Sequence, residues 1–268
     1  MVFILVYVGI FGAIFGSFLN VLIYRLSKGQ SPFVGRSKCP SCKKTISWHH
    51  NIPMISFFWL RGTCAYCGRK ISWHYPLVEL LTTSLFLWWY LIGMNFFRLE
   101  GNYLDIVQPV FWLIMGMLLV VVFFTDLWFG IIPDLINIMI FGLALVYRVS
   151  LVVLGEMRLL DFEMAIIAGL GLYLIFYFLV YITKGRGFGM GDVKLAPGLG
   201  LLLGWEKTII LWFSSFILGS LVAVVLLLLR KKSIKQTIPF GPFLVVGTGV
   251  ALFFGDKLWM WYMSLLGI

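Results

Sequence analysis

Few residues in this chain can do chemistry, and most of them fall in two places. Cys39-Pro-Ser-Cys42 and Cys64-Ala-Tyr-Cys67 are two C-x-x-C pairs with 21 residues between them. That spacing lets two tight turns each offer two thiolates to one tetrahedral zinc ion, as in a zinc ribbon. Two disulfides or four idle thiols are the alternatives, and a cytoplasmic location, argued below, disfavours the disulfides. Four thiolates leave no open coordination position, so such a metal is structural, and His49, His50 and His74 read as ordinary loop residues. The second place is Gly187-Phe-Gly-Met-Gly-Asp192-Val-Lys194, which sets a carboxylate and a lysine in a glycine-dense turn between apolar segments. An ionisable group is costly there unless it has a task.

Only 11 residues are acidic, and the topology derived below leaves Glu79, Asp126, Asp134 and Asp192 at the inner membrane face. Asp126, at the inner end of the third span, and Asp192, just before the sixth, stand at similar depth. Two such carboxylates can share a proton, one acting as base toward water and the other as acid toward a scissile carbonyl. The blander readings are a helix cap for Asp192 and a solvated interfacial acid for Asp126. Asp134, after Ile132-Pro133, reads as the N-cap of the fourth span, and Glu79 as a helix-start residue favoured by the dipole. Lys194 either neutralises Asp192 or holds lipid phosphate. Glycines 185, 187, 189 and 191 are expected to take positive φ and admit a substrate strand closely. Non-helical backbone at membrane depth needs protein or a water-filled cavity around it, and peptide hydrolysis needs the water.

These residues require membrane helices to hold them. With 61% hydrophobic and 12% charged residues and a mean hydropathy of +1.00, the 268-residue chain is a polytopic membrane protein. Its 11 Trp and 11 Tyr suit interfacial belts. Apolar windows of about 20 residues fall near 2–24, 77–97, 109–127, 134–154, 163–183, 208–229 and 240–256. The first lacks the basic start of a signal peptide and reads as a retained helix. Of the 21 basic residues, nine lie between positions 25 and 76, where there is no Asp or Glu. The +10 net charge therefore points to a cytoplasmic loop near anionic lipid and not to nucleic acid. With that loop inside, the N-terminus and the acidic connections 98–108 and 155–162 are outside. Lys184 and Arg186 are then inside, and the cluster Arg230, Lys231, Lys232 and Lys235 is inside as well only if 193–206 also crosses, as a short or partly unwound span. The expectation is all-α, about eight transmembrane helices with both ends outside and residues 257–268 at the outer interface. The chain divides into a first helix (1–24), a zinc-ribbon-like cytoplasmic loop (25–76) and a transmembrane core (77–268).

The chain resembles the bacterial type IV prepilin peptidases, leader peptidases with N-methyltransferase activity. The residues that carry the resemblance are Gly16-Ser-Phe-Leu-Asn-Val-Leu-Ile-Tyr-Arg25, both cysteine pairs, Asn51-Ile-Pro53, Leu60-Arg-Gly62, Ile71-Ser72, Tyr75-Pro76 with Glu79, Asp126 to Ile132-Pro-Asp134, and Gly189-Met-Gly-Asp-Val-Lys194. The resemblance implies a G-x-G-D intramembrane aspartyl protease of the bacterial inner membrane, similar in catalytic logic to presenilin. The family's catalytic aspartates fall on Asp126 and Asp192, with Gly189, Gly191, Lys194, Asp134 and Glu79 in supporting places. It further implies cleavage of the basic leader of prepilins and pseudopilins after a glycine, at the cytoplasmic face. Methylation of the new N-terminus by S-adenosylmethionine follows, a function the family associates with the loop near residues 25–79. No Rossmann unit with a glycine-rich turn is legible, so methylation rests on the resemblance alone. The lipid bilayer is an expected partner, nucleic acid is not, and the sequence permits a homo-oligomer. The competing class is a non-enzymatic transporter or assembly scaffold with a zinc-stabilised docking loop, against which stands the lack of a second broken helix in an inverted repeat.

Overall fold

A computed structural model of the protein describes residues 2–99, 104–185, 187–229 and 238–267. Arg186 and the basic cluster at 230–235 lie outside the described residues. The order of elements is α1 (Val2–Leu26), α2 (Ile55–Trp59), α3 (His74–Trp88), α4 (Met94–Phe96), α5 (Leu104–Phe129), α6 (Asp134–Val153), α7 (Leu159–Thr183), α8 (Met190–Leu203), α9 (Trp205–Leu228) and α10 (Gly241–Leu265). A π-helical turn at Trp89–Gly93 joins α3 to α4, so 74–96 acts as one span. Among the described residues seven helices are long and apolar enough to cross a bilayer, and among the same residues the only β pairing is two isolated bridges in the cysteine loop. The last helix runs to Leu265, well past the expected end of its window, so Trp259, Trp261 and Tyr262 are helical. The chain forms two compact units, Met1–Val121 and Val122–Ile268, with the division inside α5.

In the first unit α1 and α3 pack antiparallel through small residues. A Cβ on Gly16 would lie 2.7 Å from the Glu79 backbone, and one on Gly12 2.8 Å from that of Thr83. Close backbone approach of this kind is how apolar helices associate where lipid removes the hydrophobic drive. Phe15 stacks on Phe86 at 5.3 Å beside the contact. The chain leaves α1 through Arg25, whose guanidinium donates to the carbonyls of Ser31, Pro32, Val34, Gly35 and Arg36 and so folds the start of the loop around one side chain.

The second unit is organised around α8, the short helix. Its 14 residues rise only about 21 Å, yet ten of them are buried. On one side it crosses α7 at a glycine pair, where a Cβ on Gly200 would lie 2.5 Å from Gly169 Cα. On the other it runs parallel to α6: Lys194 faces Asp134, Gly198 faces Ile140 and Phe141, and Leu201 and Leu202 face Arg148. Ending a helix inside an apolar interior exposes its last carbonyls. Arg148 resolves this by donating to Leu201 O at 2.9 Å and Leu202 O at 3.0 Å, placing a cation at the negative end of the dipole. Gly204, at φ 80, turns the chain into α9 with the Arg148 guanidinium 3.0 Å from where its Cβ would stand.

Candidate functional site

Asp126 occupies the last turn of α5 and Asp192 the first turn of α8. Their residues are 7% and 4% exposed, so neither is a solvated interfacial acid. Each has one oxygen held by a backbone amide. Gly241 N–H, at the start of α10, donates to Asp126 Oδ2 at 2.7 Å, and Gly189 N–H donates to Asp192 Oδ2 at 3.0 Å. The cap expected of Asp192 is therefore present, and it uses only one oxygen; Oδ1 is buried without a hydrogen-bond partner. The two groups are close enough for the charge of Asp126 to act on Asp192. A buried acceptor left unmatched costs about 1–3 kcal/mol, which marks the pair as an arrangement kept for use.

The two amide supports are tied to each other. Phe188 precedes Gly189, Phe240 precedes Gly241, and their rings meet edge to face at 5.0 Å. Phe176 of α7 and Phe216 of α9 complete the cluster, at 5.8 Å and 5.1 Å from Phe240. This layer also reports depth. Gly219 of α9 lies beside Phe240, and α9 continues about nine residues further to Leu228, roughly 13 Å. α7 continues about seven residues beyond Phe176 to Thr183, roughly 10 Å. The carboxylates are thus recessed below the ends of the neighbouring helices.

Several expected placements change. Asp134 is the first residue of α6 and the cap position is Pro133, which makes no side-chain bond. Instead the Asp134 carboxylate pairs with Lys194 Nζ at 2.7 Å and 2.9 Å, because α6 and α8 start side by side, so Lys194 neutralises Asp134 and not Asp192. Of the four glycines, only Gly185 takes positive φ (72°). Gly189 is extended at φ −86°, and Gly191 is helical, where a Cβ would lie 3.1 Å from the Ile132 Cβ; its smallness admits the α5–α6 connection. Glu79 is not at a helix start but buried in the second turn of α3, accepting the Met54 N–H at 2.7 Å. Gly241, Phe240 and Arg148 were missed. Gly241-Pro242 is a legible helix start, yet its contact with Asp126 spans 115 residues, and nothing local announces it.

In the cysteine loop the four sulfurs lie within 4.8 Å of one another. The two knuckles are built alike. Cys39 and Cys64 accept from the amides of Lys43 and Gly68, and donate their own to Lys44 O and Arg69 O. The residue after each pair is left-handed, Lys43 at φ 61° and Gly68 at φ 68°. The Cys42 amide draws the Cys39 thiol down to about 6. Against the pull of the Arg69 amide, desolvation and the sulfurs of Cys64, Cys42 and Cys39 hold Cys67 up at about 11. Four sulfurs around one point, with amides that favour thiolate, form a donor set that suits a tetrahedral metal ion.

The N-terminal part of the chain, residues 10–92, matches the model for the bacterial Peptidase A24 N-terminal domain, and residues 112–224 match that for the type IV leader peptidase family. A prepilin leader peptidase/N-methyltransferase of Aeromonas hydrophila is 31% identical over 95% of this chain and 92% of its own length. The chain belongs to the prepilin leader peptidase/N-methyltransferase family. Relatives of the same description in Legionella pneumophila (31% identical; 98% of this chain, 95% of the relative) and Bacillus subtilis (30%; 96% of each) agree. No solved structure matches. With its seven apolar helices, this member of the leader peptidase family is a multi-pass inner-membrane protein, and the family relation sets the transporter or scaffold reading aside.

Proposed function

We propose that the protein removes the leader of type IV prepilins or pseudopilins at the cytoplasmic membrane face, with Asp126 and Asp192 as the catalytic pair. It then methylates the new N-terminal amine from S-adenosylmethionine. The observation that carries the reading is the recessed pair itself: two buried carboxylates, each pinned by one amide, with Asp192 Oδ1 left to bond something else. In hydrolysis one aspartate is protonated and donates to the scissile carbonyl oxygen. The other takes a proton from water, whose oxygen attacks the carbonyl carbon. Breakdown of the tetrahedral species breaks its C–N bond: the aspartate that took the water's proton gives it to the departing amine of the mature chain, the other regains the proton it gave, and the leader keeps the new carboxyl group. The Asp134–Lys194 pair and the Gly189 and Gly191 turn support this pair by holding the head of α8 against α6. The orientation that fits is N-terminus outside and cysteine loop inside, with zinc in the loop as a structural ion held by Cys39, Cys42, Cys64 and Cys67. A recessed pair at the cytoplasmic side suits a substrate whose charged leader stays in water.

Asp126→Asn and Asp192→Asn are each expected to leave the protein inserted and to abolish cleavage of a co-expressed prepilin, read by mass spectrometry of its N-terminus. Normal processing by either variant overturns the assignment.

A further inference from the structure

The cysteine loop carries an apolar face that its own fold leaves uncovered. α2 lies within the loop and has two sides. Ser56 and Phe57 are buried: the Ser56 hydroxyl donates to His49 O at 3.0 Å, and the Phe57 ring packs on that of Trp73 at 4.7 Å. Ile55, Phe58 and Trp59, spaced to share the other side of the helix, are 60%, 65% and 76% exposed. Trp73, 67% exposed, extends this face, its ring 6.5 Å from that of Phe58. A grouped set of large apolar side chains left open in this way marks an interaction surface.

The position of the face says what covers it. Trp73 immediately precedes α3, the start of a 23-residue span. Such a span rises roughly 34 Å against a hydrocarbon core of about 30 Å, so Trp73 stands at the edge of that core. It continues the row of exposed Leu77, Leu80 and Leu81, three or four residues apart on one face of α3. The loop is tied down at the same level. Met54, the residue before α2, is held at φ 58°, and its amide donates to the Glu79 carboxylate at 2.7 Å. Glu79 is five residues beyond the start of α3, about 7 Å along its axis, so α2 begins within side-chain reach of that depth. Interfacial helices bury their apolar face about 5–10 Å into the boundary between headgroups and acyl chains. Charge agrees with depth: Arg61 follows α2, Arg69 and Lys70 precede α3, and all three are exposed, while no Asp or Glu occurs between positions 25 and 76.

We propose that α2 and Trp73 form an interfacial anchor that binds the bilayer surface on the loop's side of the membrane. Ile55, Phe58, Trp59 and Trp73 enter the acyl boundary, and Arg61, Arg69 and Lys70 meet anionic headgroups. Tryptophan suits this place because its ring is apolar and its N–H polar, and arginine because its planar fork matches phosphate oxygens. The anchor gives the cysteine loop a third attachment to the membrane, after α1 and α3, and holds it against the bilayer. It stands independently of the chemistry proposed above.

The test uses the full chain in phosphatidylcholine vesicles that carry a trace of phospholipid with a diazirine near the top of its acyl chain. After photolysis and proteolysis, carbene adducts are expected on the segment 55–61 as well as on the spans. Adducts on the spans with none on 55–61 overturn the anchor, whether water or a second copy of the chain covers the face. The headgroup contacts are read by comparing phosphatidylglycerol and phosphatidylcholine probes at equal trace. The anionic probe is expected to give about fivefold more adduct on 55–61, the equivalent of roughly 1 kcal/mol for a basic residue near anionic lipid, with equal adduct at the middle of α9. Equal yields from the two probes on 55–61 overturn the role of Arg61, Arg69 and Lys70.

Discussion

Gly241→Ala tests whether Asp126 is held in place by α10. A Cβ at position 241 would lie 2.7 Å from Asp126 Oδ2 and 3.0 Å from both its Cβ and Cγ, where ordinary contact begins near 3.4 Å. The carboxylate must therefore retreat by roughly half an ångström or more, stretching the 2.7 Å bond it accepts from Gly241 N–H. Losing a hydrogen bond to a charged group costs about 1.5–3 kcal/mol. A displacement of about 1 Å at a catalytic group costs about 100-fold in rate. The two figures agree on a fall of roughly 10- to 150-fold in kcat. Gly249 is the matched control: it is in the same helix, with nothing within 4 Å of its would-be Cβ. Gly249→Ala should cleave at the wild-type rate and gain up to about 1 kcal/mol of helix stability. The assay is the initial rate of leader cleavage from a purified prepilin in detergent, with thermal unfolding as the check on folding. Gly241→Ala cleaving within threefold of Gly249→Ala would refute the positioning role.

Three further outcomes are expected. Arg148→Met keeps the length of the side chain but strips two carbonyls at the end of α8 of their donors, so unfolding in detergent should show a loss of about 2–4 kcal/mol; no change would mean that water or lipid replaces the guanidinium. Lys43→Gly relieves a left-handed backbone at the first knuckle, where Gly68 already serves the second. It should slow zinc loss to a chelator, with a stabilisation of about 1 kcal/mol, whereas faster loss contradicts the knuckle symmetry. Cys39→Ser should reduce zinc in the purified protein from one equivalent to near none, and wild-type metal content would remove the four-thiolate site.

The cysteine spacing, the basic loop and the apolar windows were legible because each depends on residues close in sequence or on composition. The bilayer makes the last nearly deterministic, since a chain that leaves water must satisfy its backbone within helices. The short apolar piece at 193–204, too brief for a full span, was also legible, and it is the helix Met190–Leu203. Asp126 and Asp192 could be singled out by their cost in an apolar setting. The partners were not legible. Lys194 meets Asp134 because two helices start side by side, and Glu79 meets Met54 because the loop folds back onto α3. Gly241 meets Asp126 across 115 residues, and Arg148 finds the end of α8 only because α6 and α8 run parallel. A side chain's cost can be read from its type and surroundings in the chain, but which group compensates it depends on how helices distant in sequence are registered against one another. That register follows from glycine contacts such as Gly169 with Gly200, where the absence of a side chain matters only once the partner helix is in place.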